Sequence, residues 1–378
     1  MVRSREYQLR EVVRGGGYIR YRVADLFYGT DRRKADLPIM DLQLTWNASS
    51  QIQGSGTCRV VWQSDFAESM APKRLDDWLA PFGAALYIRD VFELGSARWE
   101  VPLGWFNITD VPSARESRTF WGGRAITVGS VVELTLQDRM ERTKRHRFGV
   151  PTGPEDLSSA INEAARITGL PVTRSTAVPD RPVPRSIVYS DDRLEALYEL
   201  CKVVLDAVPY MAGDGSLAFR PREWPDPVDE VVYGGPDGTI TDIDWSMSPT
   251  NAYNLVSVRS EGGDDAEVLY RDYLRTGPLR AFNPDGTEGP WGVTDLRLVS
   301  QYIESRFQAA EWGQRELRQL ERVAVTGLKI SLGYNSLYEV GDVLKVVDRY
   351  SGTEFLYRIT TLPLDDSPEM TITGEVAA

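Results

Sequence analysis

The sequence predicts a mainly β protein of the α+β class, ordered as β, then α+β, then β with an inserted long helix. Three observations carry this. Short runs of alternating hydrophobicity recur between turn signals in the first 147 residues. The period then changes to helical spacing after the break Pro151-Thr152-Gly153-Pro154. Gly and Pro, at 32 and 22 residues, favour many turns and short strands over a helical bundle.

The first β region spans 1–147. Ile39 to Trp46 alternates, with Ile39, Asp41, Gln43 and Thr45 set against Met40, Leu42, Leu44 and Trp46. Gly54-Ser55-Gly56 leads into Thr57 to Trp62, and Leu86–Phe92 with Arg98–Val101 reads as a hairpin around Leu94-Gly95-Ser96. Trp105–Thr109 and Ser130–Gln137 complete five or more strands, for which a small barrel or sandwich is the natural closure because it removes edges. Gly15-Gly16-Gly17 reads as a hairpin tip.

The middle region, 148–238, is predicted α+β. Glu155–Gly169 carries Leu157, Ile161, Ala164, Ala165 and Ile167 at helical spacing, and Ser190 serves as N-cap for a second helix ending before Pro209. Tyr210–Arg220 is a hairpin around Gly213-Asp214-Gly215. In 239–378, strands are expected at Ile240–Trp245, Asn254–Val258, Ala266–Tyr273, Val323–Leu332, Val343–Val347, Glu354–Leu362 and Met370–Glu375. A turn at Gly262-Gly263-Asp264-Asp265 precedes the third of these. A long helix is expected over about 294–322, with the stripe Leu296, Val299, Ile303, Phe307, Ala310, Leu317 and Leu320.

Composition excludes much chemistry. One histidine and two cysteines, Cys58 and Cys201, fall short of a zinc site; the cysteines could pair only if the fold brought their Cα atoms within about 7 Å, and a reducing compartment is the default expectation. His146 sits among Arg142, Lys144, Arg145 and Arg147, a basic run read as a solvated loop, or alternatively as an anion or partner interface. Neither a G-x-S-x-G elbow nor a G-x-x-x-x-G-K-[ST] loop occurs. With 55 acidic residues, a carboxylate pair for glycoside hydrolysis carries no information, and the ten tryptophans are explained by packing. No cofactor or metal is expected, and no enzymatic activity. No apolar run is long enough to span a bilayer, and Met1–Glu6 is followed by no signal-peptide core, so a soluble protein made in the cytoplasm is expected.

Charge is divided unevenly along the chain. Residues 1–147 carry 22 basic and 18 acidic side chains; residues 148–378 carry 21 and 37. An acidic surplus of this size disfavours binding to a nucleic acid backbone.

Six fragments, in order along nearly the whole chain, resemble the tail-tip and baseplate hub proteins of tailed bacteriophages. Ile52–Thr57, with Gly54 and Gly56, is similar to the family's early strand-turn-strand. Pro102-Leu103-Gly104-Trp105-Phe106-Asn107-Ile108 resembles the strand that closes its first barrel, and Val132–Arg139, with Asp138, a strand ending in Asp-Arg. Gly213–Pro221 is similar to the middle hairpin, Ala252–Val258, with Asn254, to the strand opening the second barrel, and Leu337–Leu344, with Gly341 and Asp342, to a late turn.

The resemblance implies two small β-barrel domains, 1–147 and 239–378, flanking an α+β middle domain. It further implies a homotrimer whose six barrels match the sixfold tail tube while the far side meets a threefold tip. Expected partners are tail-tube or distal tail protein rings, tip, spike or fibre proteins, and the tape measure protein. The genome would pass through the channel without specific binding, within a virion assembled in the host cytoplasm. A carbohydrate- or receptor-binding tail module is the alternative, and a cell-wall hydrolase a weaker one.

Overall fold

The computed structural model describes residues 7–63, 69–185, 187–222, 228–247, 252–259, 267–300, 302–303, 305–322 and 328–376. The chain opens on helix α1 (Tyr7–Gly15), followed by β1 (Ile19–Tyr28), β2 (Asp31–Asn47), β3 (Gly54–Gln63), β4 (Ala84–Leu94), β5 (Ala97–Trp121) and β6 (Arg124–Asp138). Helices α2 (Met140–Arg145), α3 (Ala160–Thr168) and α4 (Arg193–Leu200) come next, α4 running into a π-helical turn at Cys201–Leu205. Then follow β7 (Ala207–Met211), β8 (Leu217–Pro221), β9 (Glu230–Gly234), β10 (Ile240–Asp244), β11 (Leu255–Arg259), β12 (Val268–Tyr273) and β13 (Asp295–Val299). Helix α5 (Arg306–Arg322) precedes β14 (Leu328–Gly333), β15 (Val343–Asp348), β16 (Thr353–Leu364) and β17 (Glu369–Val376). The protein is thus mainly β, with α2 to α4 grouped between β6 and β7.

Strand pairing is cyclic, twice. In the first cycle β1 pairs with β4, β4 with β5, β5 with β6, β6 with β3, β3 with β2, and β2 again with β1, all antiparallel. In the second, β16 pairs with β15, β15 with β9, β9 with β10, β10 with β14, β14 with β17, and β17 with β16. Two of those pairings, β15–β9 and β9–β10, are parallel. The cycles are joined edge to edge by β2 and β16, with Leu44–Asn47 opposite Thr361–Leu364. Twelve strands therefore share one hydrogen-bonded sheet, and closing each set of six on itself leaves few unpaired edges.

One apolar cluster fills both cycles. Leu26, Leu44, Val60, Leu86 and Leu134 lie in it from the first cycle, and Ile330, Leu344, Tyr357 and Ile372 from the second. A second cluster holds α3, α4, β8, β11 and α5 together through Ile161, Leu197, Phe219, Val256 and Trp312. Cys58 belongs to the first cluster and Cys201 to the second, both free and buried.

Several expectations need correction. The stretch expected to start a helix near Thr294 is strand β13, in parallel register with β11 from Leu255↔Asp295 to Arg259↔Val299, and the helix spans only 306–322. The i,i+3 spacing of Leu296 and Val299 misled, because the buried side chain there is Leu298 while Val299 is exposed. Phe307, assigned to the buried stripe, is also exposed. The three-stranded sheet β12-β11-β13 stands apart from the twelve-stranded one, whereas β9, which precedes residue 239, joins the second cycle. The expected division at 238/239 thus cuts through the second cycle.

Smaller differences have local causes. Gly15-Gly16-Gly17 ends α1 instead of turning a hairpin. The alternation of β2 changes phase at a bulge between Met40 and Gln43, where Asp41 has φ +50°, so Ile39 is buried and Met40 exposed. Asp192, not Ser190, caps α4, accepting from the N–H of Leu194 and Glu195. The expected turn at Gly262-Gly263-Asp264-Asp265 and positions 266 and 323–327 of two expected strands lie outside the described residues.

Candidate functional site: the junction between the two strand cycles

Four of the singled-out residues meet where the cycles join. Asp138 ends β6, fully buried; its Oδ2 accepts from Gly54 N at 2.6 Å and its Oδ1 from Met140 N at 2.9 Å. The next residue back from Gly54 is Gln53, whose Nε2 donates to Pro209 O (2.9 Å) and Tyr198 Oη (3.1 Å). Its Oε1 accepts from Arg220 Nη2 at 2.9 Å, and Arg220 Nη1 reaches Val340 O at 2.6 Å. Gly341 follows with φ +95°, and a Cβ there would stand 2.6 Å from Arg220 Cδ. A positive φ and an arginine stem in the way both call for glycine. Asp342 is buried beside it and accepts from Glu339 N at 2.9 Å.

This arrangement is a polar bolt through three parts of the chain. Arg220 sits on β8, so the β7–β8 hairpin is held between Gln53 of the first cycle and Val340 of the second. From the second cycle, Arg358 on β16 donates to the carbonyls of Pro221 and Arg222 at 2.7 and 2.8 Å. Each buried carbonyl or amide satisfied in this way avoids a penalty of about 1–3 kcal/mol. Burial pulls the Arg358 guanidinium down to about 10, with Arg220 nearby adding to the effect.

Asp138 gives the junction a pH dependence. Burial pushes its carboxyl up to about 7, against the pull of the Gly54, Met140 and Gln53 N–H groups. The folded chain therefore keeps a proton between roughly pH 4 and 7 that the unfolded chain has released. Stability from this group is fully present below about pH 4 and is lost as pH rises through about 7. Asp138→Asn stays neutral throughout but leaves one backbone N–H facing its amide NH2 group. The unfolding free-energy gap between wild type and Asp138→Asn, from urea titrations, should narrow from pH 5 to pH 8. A gap independent of pH would show that Asp138 is ionised throughout.

A second buried cluster ties the cycles on another side. Arg22 on β1 lies directly opposite Asp90 on β4. Its Nε donates to Asp90 Oδ1 (2.8 Å), its Nη2 to Tyr334 Oη (2.9 Å) and Asp365 O (2.6 Å), and its Nη1 to Asp366 Oδ1 (2.5 Å). Tyr334 Oη donates to Asp90 Oδ2 at 2.5 Å. Burial alone would lower the Arg22 guanidinium, but Asp90 and Tyr334 hold it well above its ordinary value. Tyr334 and Asp365–Asp366 flank strands of the second cycle, so this pair also couples the two.

The remaining motif residues lie elsewhere. Pro102 and Gly104 bracket a bulge in β5, with Ile88 opposite Gly104 and Arg89 opposite Pro102, and Leu103 turned into the core. Gly56 lies within β3 opposite Leu44 of β2. Asn254 is buried away from the junction, its Nδ2 donating to Gly292 O (2.7 Å) and its Oδ1 accepting from Thr294 N (2.8 Å), which pins the loop before β13. Of the basic run, Arg147 is ion-paired with Asp191, Lys144 is exposed, and Arg142 and Arg145 border a groove on the first cycle. Gln53, Tyr198, Arg220, Arg22 and Asp90 were missed from the sequence. For the last two a signal existed: Arg22 shares strand parity with buried Ala24 and Leu26, and Asp90 with Ile88 and Phe92.

Among the described residues no group of His, Cys, Asp and Glu side chains is arranged to hold a metal ion, and no helix is long and apolar enough to cross a membrane.

The fold is that of phage tail proteins. The tail protein from Neisseria meningitidis MC58 is similar with a TM-score of 0.55 at 9% identity, over 95% of this chain and 97% of that one. The 43 kDa tail protein of prophage MuSo2 from Shewanella oneidensis gives 0.55 at 11% identity, over 94% and 98%. A chain of the half-lidded Francisella PdpA-VgrG complex gives 0.50 at 9% identity, with 95% of this chain matching 58% of that one. No family model and no curated protein matches the chain. The resemblance read from the sequence therefore holds at the level of fold.

Proposed function

We propose that this chain is a structural hub of a phage tail tip. Three copies form a ring that joins the sixfold tail tube, or a distal tail protein ring, to a threefold tip, spike or fibre. The observation that carries this reading is the pair of six-strand pairing cycles within one polypeptide, joined edge to edge by β2 and β16. Read as two barrels, they give three copies six barrel faces, so one ring meets neighbours of two symmetries. The first barrel is built from β1–β6, and the second from β9, β10 and β14–β17. The intervening helices, β7–β8 and β11–β13 with α5 form the middle layer.

The work of such a hub is done by interfaces and not by a reacting group. The bolt through Gln53, Arg220 and Val340 and the Arg22–Asp90 pair stiffen each protomer so that its two barrels keep a fixed spacing. The tape measure protein and then the genome pass along the ring axis, where the acidic surplus of residues 148–378 keeps DNA from sticking. The site of action is the virion, after assembly in the host cytoplasm. Subunit interfaces of an obligate ring should bury more than about 2,000 Å². Light scattering on the purified chain should give three times the 42.4 kDa protomer mass. A monomer at all concentrations, with or without the tube protein, would overturn the reading.

A further inference from the structure

A groove on the first cycle carries a charge that the protomer itself leaves uncompensated. Arg139, Arg142 and Arg145 follow one another at i,i+3 spacing, on one face of the turn into α2. With Tyr28, Phe82 and Trp105 they border an open cavity of about 430 Å³. Arg139 is spent inside the fold, its Nη1 donating to Gly215 O at 2.7 Å with the guanidinium 5.5 Å from the Trp105 ring centre. Arg145 lies 3.4 Å from Glu141 and is largely exposed. Among the described residues Arg142 has no carboxylate within ion-pair distance. Phe82, 55% exposed, and Tyr28, 38% exposed, give the groove apolar walls.

We propose that this groove is the docking site for an acidic surface segment of a second copy of this chain. Charge complementarity selects that occupant. Residues 1–147, which build the groove, carry an excess of four basic side chains, whereas residues 148–378 carry an excess of sixteen acidic ones. In a head-to-tail ring, each copy presents its first part to a neighbour's later part, so the two signs meet at every interface. The apolar walls accept the stems and apolar neighbours of the docked carboxylates, while Arg142 and Arg145 pair with the carboxylates themselves.

The inference rests on the ring-forming reading above, and two measurements separate them. The first compares self-association of wild type and the Arg142→Glu, Arg145→Glu double variant by sedimentation at low and high salt. Both side chains are exposed, so the variant should keep the wild-type far-ultraviolet circular dichroism spectrum while associating at least tenfold more weakly. The wild-type association should also weaken with salt. The second places the photo-cross-linker p-benzoylphenylalanine at position 82. Its cross-links should fall in residues 148–378 of another copy, as identified with isotopically mixed chains. A wild-type trimer matched by an equally tight double variant, or cross-links confined to residues 1–147, would overturn the groove assignment and leave the ring intact. A wild type that never associates would overturn both.

Discussion

Arg22→Ala is expected to lower the unfolding free energy by about 3–5 kcal/mol, because it leaves Asp90 charged, buried and unpaired. Asp90 has no solvent exposure, and the arginine is its ionic partner directly across the β1–β4 ladder. The same substitution strips donors from Tyr334 Oη, Asp365 O and Asp366 on the second cycle. Replacing both members, as Arg22→Met with Asp90→Leu, removes the uncompensated charge and should recover much of the loss. Urea unfolding of the two single variants and the double variant measures this directly. If each single change costs under about 1 kcal/mol, the pair is solvated in solution and does not couple the cycles.

Gly56→Ala should be the second severe change, while Gly54→Ala, two residues away, should be mild. A Cβ on Gly56 would lie 2.0 Å from the backbone oxygen of Gln43 and 2.8 Å from Leu44 Cδ2, so β2 and β3 would have to part. The overpacked ladder should cost about 3 kcal/mol. A Cβ on Gly54 meets Trp46 Nε1 at 3.0 Å and Asp138 Oδ2 at 3.2 Å, which asks for shifts of only a few tenths of an ångström. Thermal unfolding of the two variants under one condition decides the order. Equal effects would mean that the Gly-Ser-Gly segment acts only as a flexible turn.

What the sequence made legible was whatever repeats locally. The β3 and β6 strands, the β4–β5 hairpin and the β7–β8 hairpin follow from alternation and from Gly-containing turns, and all four lie where expected. A bulge is harder to read: nothing in Met40-Asp41-Leu42 announces that Asp41 takes a left-handed conformation, and that one residue reverses the buried face of half a strand. Helix α1 was missed because only Leu9 and Val13 of its nine residues are buried. At Asp295–Val299, backbone pairing with β11 prevailed over an apparent helical stripe, since Asn254 already pins Thr294 in line with the ladder.

The junction was legible in half. Gly54, Asp138, Gly341 and Asp342 are singled out through resemblance; in the structure the Gly54 N–H donates to the buried Asp138 carboxyl, and Gly341 leaves room for the Arg220 stem. Gln53, Tyr198 and Arg220 escaped because their partners lie 120 to 167 residues away along the chain. No local period encodes a hydrogen bond across that separation. Closure of the first cycle is readable from its strands and turns, whereas a second closed set comes only from the resemblance, since β9 joins the second cycle by parallel pairing, for which the sequence carries no turn signal.

The central claim is that two strand cycles in each protomer let three protomers stand as six. Electron cryo-microscopy of the assembled tail tip tests it most directly. The account predicts three copies of this chain in one ring, with six β modules alternating between first and second cycle and facing the tube. Six copies with one module each at the tube face, or a single copy off the axis, would contradict it.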